Sequence, residues 1–287
     1  MKIFKSALVA IFAAVAITGC SKSGDSVDKP VSTPLIKALA TTTRNFREIF
    51  NYGYDDQKRL ISTSYNNASS NIAFSNPITY NLGGFQIINT SEANKRKVMD
   101  FNLEDGHIKT ANYNVFFKDV NQNLPVSAAF SYDSKGRLIK ILQTIALNAS
   151  PPYPTRILVY TFTWDDNDNL TGSNVYDQNT TPDKGYKIVY SGFSTENVNT
   201  LSAKNFGFDY FGTSSYTGQF YPSGDGSSGA ILPLCYPGKT LPSRFTIYGT
   251  VNYNVVYHKN AQGYIDRIEQ TNVGDANDYY YLDVAYQ

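Results

Sequence analysis

The chain has few of the side chains that carry most metal and nucleophilic chemistry: 2 Cys, 2 His and 1 Trp among 287 residues. Neither His107 nor His258 has a Cys or an acidic residue at ligand spacing, so no metal site is predicted. The nucleophile motif G-x-S-x-G, the phosphate loop, the dinucleotide fingerprint and H-E-x-x-H are all absent. The sequence therefore predicts no catalytic residue, no cofactor and no enzyme, although carboxylate pairs placed by the fold would escape a motif search.

Charge of one sign is also lacking, because the formal net charge is only +1. Phosphate binding needs a clear excess of Lys and Arg, so nucleic acid is not expected as a partner. What the chain has in quantity is 23 Tyr, 17 Phe and 27 Asn. Aromatic residues favour strands and Asn favours turns, so this composition predicts an all-β chain with many hairpins.

The first twenty residues have the parts of a secretory signal. Lys2 and Lys5 form a short basic region, and Ala7–Ile17 is an apolar run too short to span a bilayer. The run ends in Ile17–Cys20, Ile-Thr-Gly-Cys, which resembles a bacterial lipobox. That resemblance implies that Cys20 becomes lipidated after cleavage before it, and that the lipid is the protein's membrane anchor.

These features divide the chain into a signal peptide (1–19), a flexible tether (20–33) and a single β-repeat domain (34–287). Ser21 follows the lipidated residue instead of the Asp that marks inner-membrane retention, so the outer membrane is predicted. The face of the outer membrane is left open. Cys235 is then the only free cysteine, which excludes an intramolecular disulfide.

One local pattern recurs through the predicted domain. Alternating aromatics end in Asp or Asn, a few turn residues follow, and an apolar pair leads out. The Asp or Asn side chain can accept hydrogen bonds from amides two residues on, and glycine supplies the positive φ that short hairpin loops require. Copies of the pattern occupy residues 50–61, 101–108, 130–141, 160–170 and 255–265.

The copies recur at intervals of about two strands, which is typical of an array of supersecondary units. They predict an all-β fold, an open, twisted antiparallel β-meander built from divergent hairpin repeats. Outside the signal, no run shows helical periodicity over ten residues, although Pro34–Ala40 is compatible with a short helix.

The Phe-x-Tyr-Asp-x-x-Gly-Arg-Leu of residues 130–138 resembles the YD repeat of Rhs-type proteins. The chain over residues 40–287 more closely resembles a family of Bacteroidota lipoproteins of unknown function, through the order of short segments such as 238–243 and 263–268. The resemblance implies a meandering antiparallel sheet and brings no activity or catalytic residues.

The repeat pattern breaks at residues 206–238, which are rich in Gly, Ser and aromatics. Loops of this composition provide adaptable contact surface, and their rings suit stacking on sugars. We take Tyr210, Tyr216 and Tyr221 as candidate ligand-binding residues. The alternative is that the segment folds over an exposed sheet face or edge and hides its rings.

The leading functional hypothesis is a non-enzymatic envelope module that binds a glycan or a protein through a sheet face or the 206–238 loop. A polysaccharide hydrolase would need two carboxylates converging in a groove. A structural scaffold of an envelope complex would need partners, because one chain of this size is too short to enclose anything alone.

Overall fold

The computed structural model describes residues 34–45, 47–67, 72–89, 97–117, 122–146, 155–198 and 238–287. Residues 33–287 form one compact unit. Cys20, Tyr210, Tyr216 and Tyr221 lie outside the described residues, so their predicted roles stay predictions, as do the boundaries of the signal and tether.

The described residues form sixteen strands and one short 3-10 turn, Pro182–Lys184. Each strand pairs antiparallel with the next along the chain. The strands are β1 Ile36–Thr43, β2 Arg47–Tyr54, β3 Leu60–Asn67, β4 Ile72–Asn81, β5 Gly84–Asn89, β6 Lys97–Glu104, β7 His107–Phe117, β8 Gln122–Tyr132, β9 Leu138–Ile145, β10 Arg156–Trp164, β11 Leu170–Asp177, β12 Tyr186–Val198, β13 Thr240–Ile247, β14 Val251–Lys259, β15 Ile265–Asn272 and β16 Tyr279–Tyr286.

The prediction of an all-β antiparallel meander is confirmed, but the prediction that the sheet is open is wrong. β1 pairs with β16 along its length, from Ile36 opposite Tyr286 to Thr43 opposite Tyr280, so the sheet closes into a barrel. Closure removes both edge strands, which would otherwise present unpaired backbone groups. The segment that is compatible with a short helix lies in the strand that closes the barrel. Interpreting it as a helix left β16 without a partner strand, so closure of the sheet was not predicted.

Each strand turns one face to the barrel interior and the other to the outside. In β8, Leu124, Val126 and Phe130 are at most 3% exposed, whereas the intervening Ser127 and Ser131 are exposed. This is the period-two alternation of a sheet with one buried face. The apolar set faces inward and the polar set faces outward.

The inward side chains form one contiguous hydrophobic core. Phe85 stacks on Phe101 with ring centroids 4.6 Å apart, and Phe245 stacks on Tyr253 at 4.8 Å. Such offset aromatic pairs add to the free energy gained by burying the rings. Because these side chains are buried, they do not line a water-filled channel. The largest fully buried ones are Tyr160, Phe85, Phe101, Phe245, Ile36, Leu39, Leu60, Ile108 and Leu124.

A small polar network crosses this core. The side-chain amide of Gln143 donates to the Tyr113 hydroxyl at 2.5 Å, and the Tyr160 hydroxyl donates to Gln143 Oε1 at 2.7 Å. Burial raises the pKa of Tyr113, so its phenol stays neutral. Both polar ends of the Gln143 amide are therefore paired, as a buried amide requires.

The predicted turns share one geometry in four places. In the turn at Asp133, the Asp133 amide donates to the Arg137 carbonyl, and the Gly136 amide donates to the Asp133 carbonyl. The Asp133 carboxylate accepts from the amides of Lys135 and Arg137, each at 2.9 Å. The same bonds recur in the turns that begin at Asp55, Asp165 and Asn260.

These turns, together with the shorter β4–β5 and β6–β7 turns, lie at the end of the barrel where even-numbered strands end and odd-numbered strands begin. We call it the turn end, and the opposite end the far end. At the turn end the last inward aromatic of an even strand donates to a carbonyl at or near the start of the preceding strand. Six such bonds are described: Tyr54 to Ile36, Tyr80 to Leu60, Tyr132 to Ile108, Trp164 to Leu138, Tyr257 to Pro242 and Tyr286 to Ile265.

Lys58 occupies the position of these turns at which φ is positive, a backbone conformation that is unfavourable for a residue with a side chain. Its φ is +62°, where Gly136 and Gly263 stand in the matching turns. Since a side chain in this region costs about 1 kcal/mol, Lys58→Gly should raise the free energy of unfolding by up to that amount. Thermal unfolding checks this, with Gln57→Gly as the control, because a glycine at that position only adds flexibility to the unfolded chain. A lower melting temperature for Lys58→Gly would contradict it.

Candidate functional site

The predicted binding segment joins two strands at the turn end. The residues that flank it belong to β12 and β13, and Val198 pairs with Thr240. Next to this point, the side chain of Asn169 in the Asp165 turn accepts hydrogen bonds from the Thr240 amide at 3.1 Å and the Thr240 hydroxyl at 2.7 Å. The start of β13 is therefore held by a neighbouring turn.

A charged cluster lies at the turn end around Arg137. Its guanidinium donates to Asp133 Oδ2 at 2.7 Å, to Asp168 Oδ1 at 2.9 Å and to the Asp165 carbonyl at 3.0 Å. It also lies over the Trp164 ring, 5.6 Å from the centroid. The guanidinium thus joins two successive turns, and we interpret the cluster as structural.

The turn carboxylates make the fold sensitive to acid. Backbone and then side-chain hydrogen bonds from Arg137 hold the pKa of Asp133 below its usual value, and Arg59 does the same for the pKa of Asp55. A lowered folded-state pKa means that the stabilisation is complete above the unfolded pKa of about 3.9. It is lost as the pH falls through the folded pKa. The melting temperature should therefore drop below about pH 4.

An internal control is present, because Asn260 makes the same amide bonds without a charge. Changing Asp55, Asp133 and Asp165 to Asn should flatten the dependence of melting temperature on pH below about 4, at the loss of some stability at neutral pH. Asn260→Asp should steepen it. Equal acid dependence in all three proteins would show that these carboxylates do not control acid unfolding.

At the far end, Tyr253 and Tyr280 lie beside the carboxylate of Asp278, and Tyr186 lies near Tyr253. Tyr186, Tyr253 and Tyr280 are inward residues near the starts of β12, β14 and β16, and Asp278 directly precedes β16. The Tyr253 hydroxyl donates to Asp278 Oδ2 at 2.5 Å, and the Tyr253 and Tyr280 rings are 6.4 Å apart. Asn272, at the end of β15, donates its side-chain amide to the same oxygen at 2.9 Å.

Tyr248 completes this group from the β13–β14 turn. Its ring is 57% exposed and packs edge-on against Tyr186, with centroids 4.8 Å apart. Its φ is +52°, and Gly249 follows at +71°. A bulky residue seldom adopts this backbone, and such outliers cluster at functional sites. We call Tyr186, Tyr248, Tyr253, Asn272, Asp278 and Tyr280 the far-end cup.

Two phenols of the cup, those of Tyr253 and Tyr280, have raised pKa values and are neutral at neutral pH. Burial raises the pKa of Tyr253, and the hydrogen bond to Asp278 and the nearby Tyr186 raise it further. Burial also raises the pKa of Tyr280, and the charge of Asp278 adds to the effect. At neutral pH the cup therefore presents phenol rings and hydroxyls around one carboxylate. Asp278 is the one carboxylate among the six residues of the cup, whereas a glycosidase pair needs two.

A second aromatic surface lies on the outside of the barrel. Tyr279 and Tyr281 flank Tyr280 in the sequence and point outward, with ring centroids 4.9 Å apart. The Arg267 guanidinium lies 5.8 Å from the Tyr281 centroid and pairs with Asp283 at 2.6 Å. The two rings of this outer pair are tilted by 41° to each other and the charges of Arg267 and Asp283 are already paired, so the pair offers fewer directed contacts than the cup.

Within the described ranges, no group of three or more His, Cys, Asp or Glu side chains is placed to hold a metal ion. No helix in the part of the chain that the structure describes is long and apolar enough to cross a membrane.

Sequence reasoning missed the cup. Tyr279, Tyr280 and Tyr281 are consecutive and follow an Asp, and this pattern was the signal in the sequence that could have indicated the cup. Alternation assigns the middle ring to the face opposite the other two, but only the fold brings Tyr253 and Tyr186 next to it.

Comparison with known proteins identifies a fold and no family. No protein-family model matches the chain, and no curated protein matches it in sequence. Two solved structures share the fold, each described as a porin-like protein. The one from Bacteroides uniformis is 11% identical with a TM-score of 0.56, over 88% of this chain and 98% of that one. The one from Bacteroides vulgatus is 13% identical with a TM-score of 0.54, over 88% and 99% of the two chains.

Proposed function

We propose that this protein is an outer-membrane lipoprotein whose barrel is a non-enzymatic binding module that holds a glycan in the far-end cup. The observation that carries the proposal is the cup itself, in which the exposed Tyr248 ring packs on Tyr186 and the buried Tyr253 bonds to Asp278 at one end of a closed barrel. Aromatic faces stack on sugar rings, while Asn272 and Asp278 can hydrogen-bond to hydroxyls. A likeness to porin-like structures at this low identity supports the barrel fold and an envelope setting.

The distribution of polarity favours a solid module over a channel. A membrane channel of sixteen strands has an apolar outer band and a polar, water-filled lumen. Here the core positions Phe85, Phe101 and Tyr160 are inward and buried. The outward positions include the paired charges Arg267 and Asp283 in neighbouring strands.

The attachment point of the chain suits presentation of the cup. β1 begins with Ile36 at the turn end, opposite Tyr286, the last residue of β16. A tether from a lipidated Cys20 would therefore join the barrel at the turn end. The cup lies at the opposite end of the barrel.

Affinity electrophoresis tests the proposal, with gels that contain starch, xylan or mucin, together with sedimentation on purified peptidoglycan. The test variant is Tyr248→Asn, because Asn accepts the left-handed backbone and removes the exposed ring. The loss of one stacking ring should weaken retention about tenfold. The control is the double variant Tyr279→Ala/Tyr281→Ala, which removes the outer pair and should leave retention unchanged.

Other outcomes would locate the ligand elsewhere on the protein or contradict glycan binding. Loss of retention only in the outer-pair variant would move the ligand to the sheet face. Loss only when Tyr210, Tyr216 and Tyr221 are changed to Ala would place it in the 206–238 loop. No retention of any of the four glycans would contradict glycan binding. Retention of a protein from an envelope extract by the same cup would then favour the protein ligand.

Protease treatment of intact cells addresses the face of the outer membrane. Loss of the protein on blotting, with a periplasmic control protected, would place the barrel outside the cell. Protection until the membrane is opened would place it in the periplasm and direct the ligand search to peptidoglycan.

A further inference from the structure

Asp278 differs in its partners from three carboxylates of the barrel that form ion pairs. Asp133 pairs with Arg137, Asp177 with Arg156, and Asp55 with Arg59. No described Lys, Arg or His pairs with Asp278, whose Oδ2 accepts only from the neutral groups of Tyr253 and Asn272. Among the described residues nothing donates to its Oδ1. The cup therefore holds a carboxylate that forms no ion pair with a Lys, Arg or His of the described ranges.

The rings around Asp278 have the chemistry that binds an organic cation. The face of a phenol ring attracts an ammonium group, and cages of such rings recognise amines and quaternary ammonium groups. Tyr280 lies beside Tyr253 at 6.4 Å, and the Asp278 charge acts on both phenols. The exposed Tyr248 ring, which packs on Tyr186, extends the aromatic wall toward solvent.

From this geometry we infer that the far-end cup binds a positively charged amine, with Asp278 Oδ1 accepting from the ammonium group and the tyrosine rings packing around it. The inference rests on the proposed function and deepens it: the glycan residue that enters the cup is an amino sugar with a free amine. A free amine adds a charge-assisted hydrogen bond to a carboxylate that forms no ion pair within the described ranges.

Three small probes separate the charge from the sugar. Glucosamine carries both, N-acetylglucosamine keeps the sugar without the charge, and tetramethylammonium keeps the charge without the sugar. Each is titrated against the lipid-free barrel at about pH 6, where an amine of this type is protonated. Changes in tyrosine fluorescence report binding. Glucosamine should bind at least about tenfold more tightly than N-acetylglucosamine, and tetramethylammonium should bind measurably.

Asp278→Asn removes the charge and keeps an oxygen that can accept from Tyr253. This variant should bind glucosamine and N-acetylglucosamine equally. Asp275→Asn is the matched control in the same exposed loop, where Asp275 Oδ1 accepts from the Asn277 amide at 2.9 Å. It should retain the preference for glucosamine. Thermal unfolding of both variants checks that the barrel stays folded.

Each outcome bears on one of the two proposals. Equal binding of both sugars by the unaltered protein overturns the amine inference and leaves glycan binding in place. Binding of tetramethylammonium without either sugar supports the amine site and contradicts the glycan proposal. Binding of neither glucosamine nor tetramethylammonium overturns the amine inference. An unchanged preference in Asp278→Asn also overturns it, because the charge would then lie elsewhere.

Discussion

Replacing Leu39 with Ala should lower the free energy of unfolding by about 2–5 kcal/mol. Leu39 is fully buried in β1, the strand that closes the barrel. It stands opposite Phe50 on one side and Val284 on the other, so its side chain packs where the first and last strands meet. Removal of a buried Leu side chain loses its transfer free energy and leaves a cavity that the closed sheet cannot collapse.

Urea unfolding of the lipid-free chain measures this effect, since the free energy extrapolates linearly with denaturant. Lys37→Ala, at an exposed position of the same strand, should change stability by less than about 0.5 kcal/mol. In an open meander β1 would be an edge strand with one neighbour, and truncation of Leu39 would have a small effect. A change below about 1 kcal/mol would therefore contradict the closure.

The hairpins could be predicted because their determinants are local. At residues 130–141, the alternating aromatics, Asp133 and Gly136 lie within a few positions of one another, and each acts on its immediate neighbours. The structure forms hairpins there and at the other predicted copies. At Lys58 and Asp168 the positive φ is present without glycine, so the turn geometry tolerates substitutions that a glycine search would miss.

Closure depends on contacts that no local pattern encodes. Ile36 and Tyr286 lie at opposite ends of the domain sequence and yet pair. The strand at Ile36–Thr43 also lacks strict alternation, because a register shift lies between Ile36 and Ala38. Its apolar positions, including Leu39, therefore do not follow the period of two that identifies a strand in sequence.

The cup could not be predicted from the sequence for the same reason. Tyr186 and Tyr253 lie in β12 and β14, with all of β13 between them in the sequence, and only the barrel brings the Tyr253 hydroxyl to Asp278 and Tyr186 near Tyr253. By contrast, the candidates Tyr210, Tyr216 and Tyr221 were chosen from composition, which identifies an unusual segment without placing it.

A chain that starts at residue 21, and so lacks the proposed lipidation site Cys20, should stay in solution without detergent and produce no conductance in planar lipid bilayers. The reason lies in which face each residue occupies. Arg267, the third residue of β15, points outward and is paired with Asp283. An Arg on a lipid-facing strand is unfavourable, by about 2–4 kcal/mol at the midplane and by less towards the interfaces. The inward face carries buried Phe85 and Phe101 where a channel would have polar residues and water.

The measurement needs a channel of known conductance in the same bilayers as a positive control, and gel filtration of the purified chain without detergent. Single-channel conductance steps, or a protein that aggregates unless detergent is present, would contradict the solid barrel. Either result would favour a pore like those of membrane channels. The absence of conductance, together with a monodisperse protein, would show that this chain shares the barrel fold of the porin-like structures without forming a pore. Whether a closed sheet of sixteen strands encloses water or packed side chains depends on which residues occupy its inward face. In this chain the inward face carries the buried hydrophobic core.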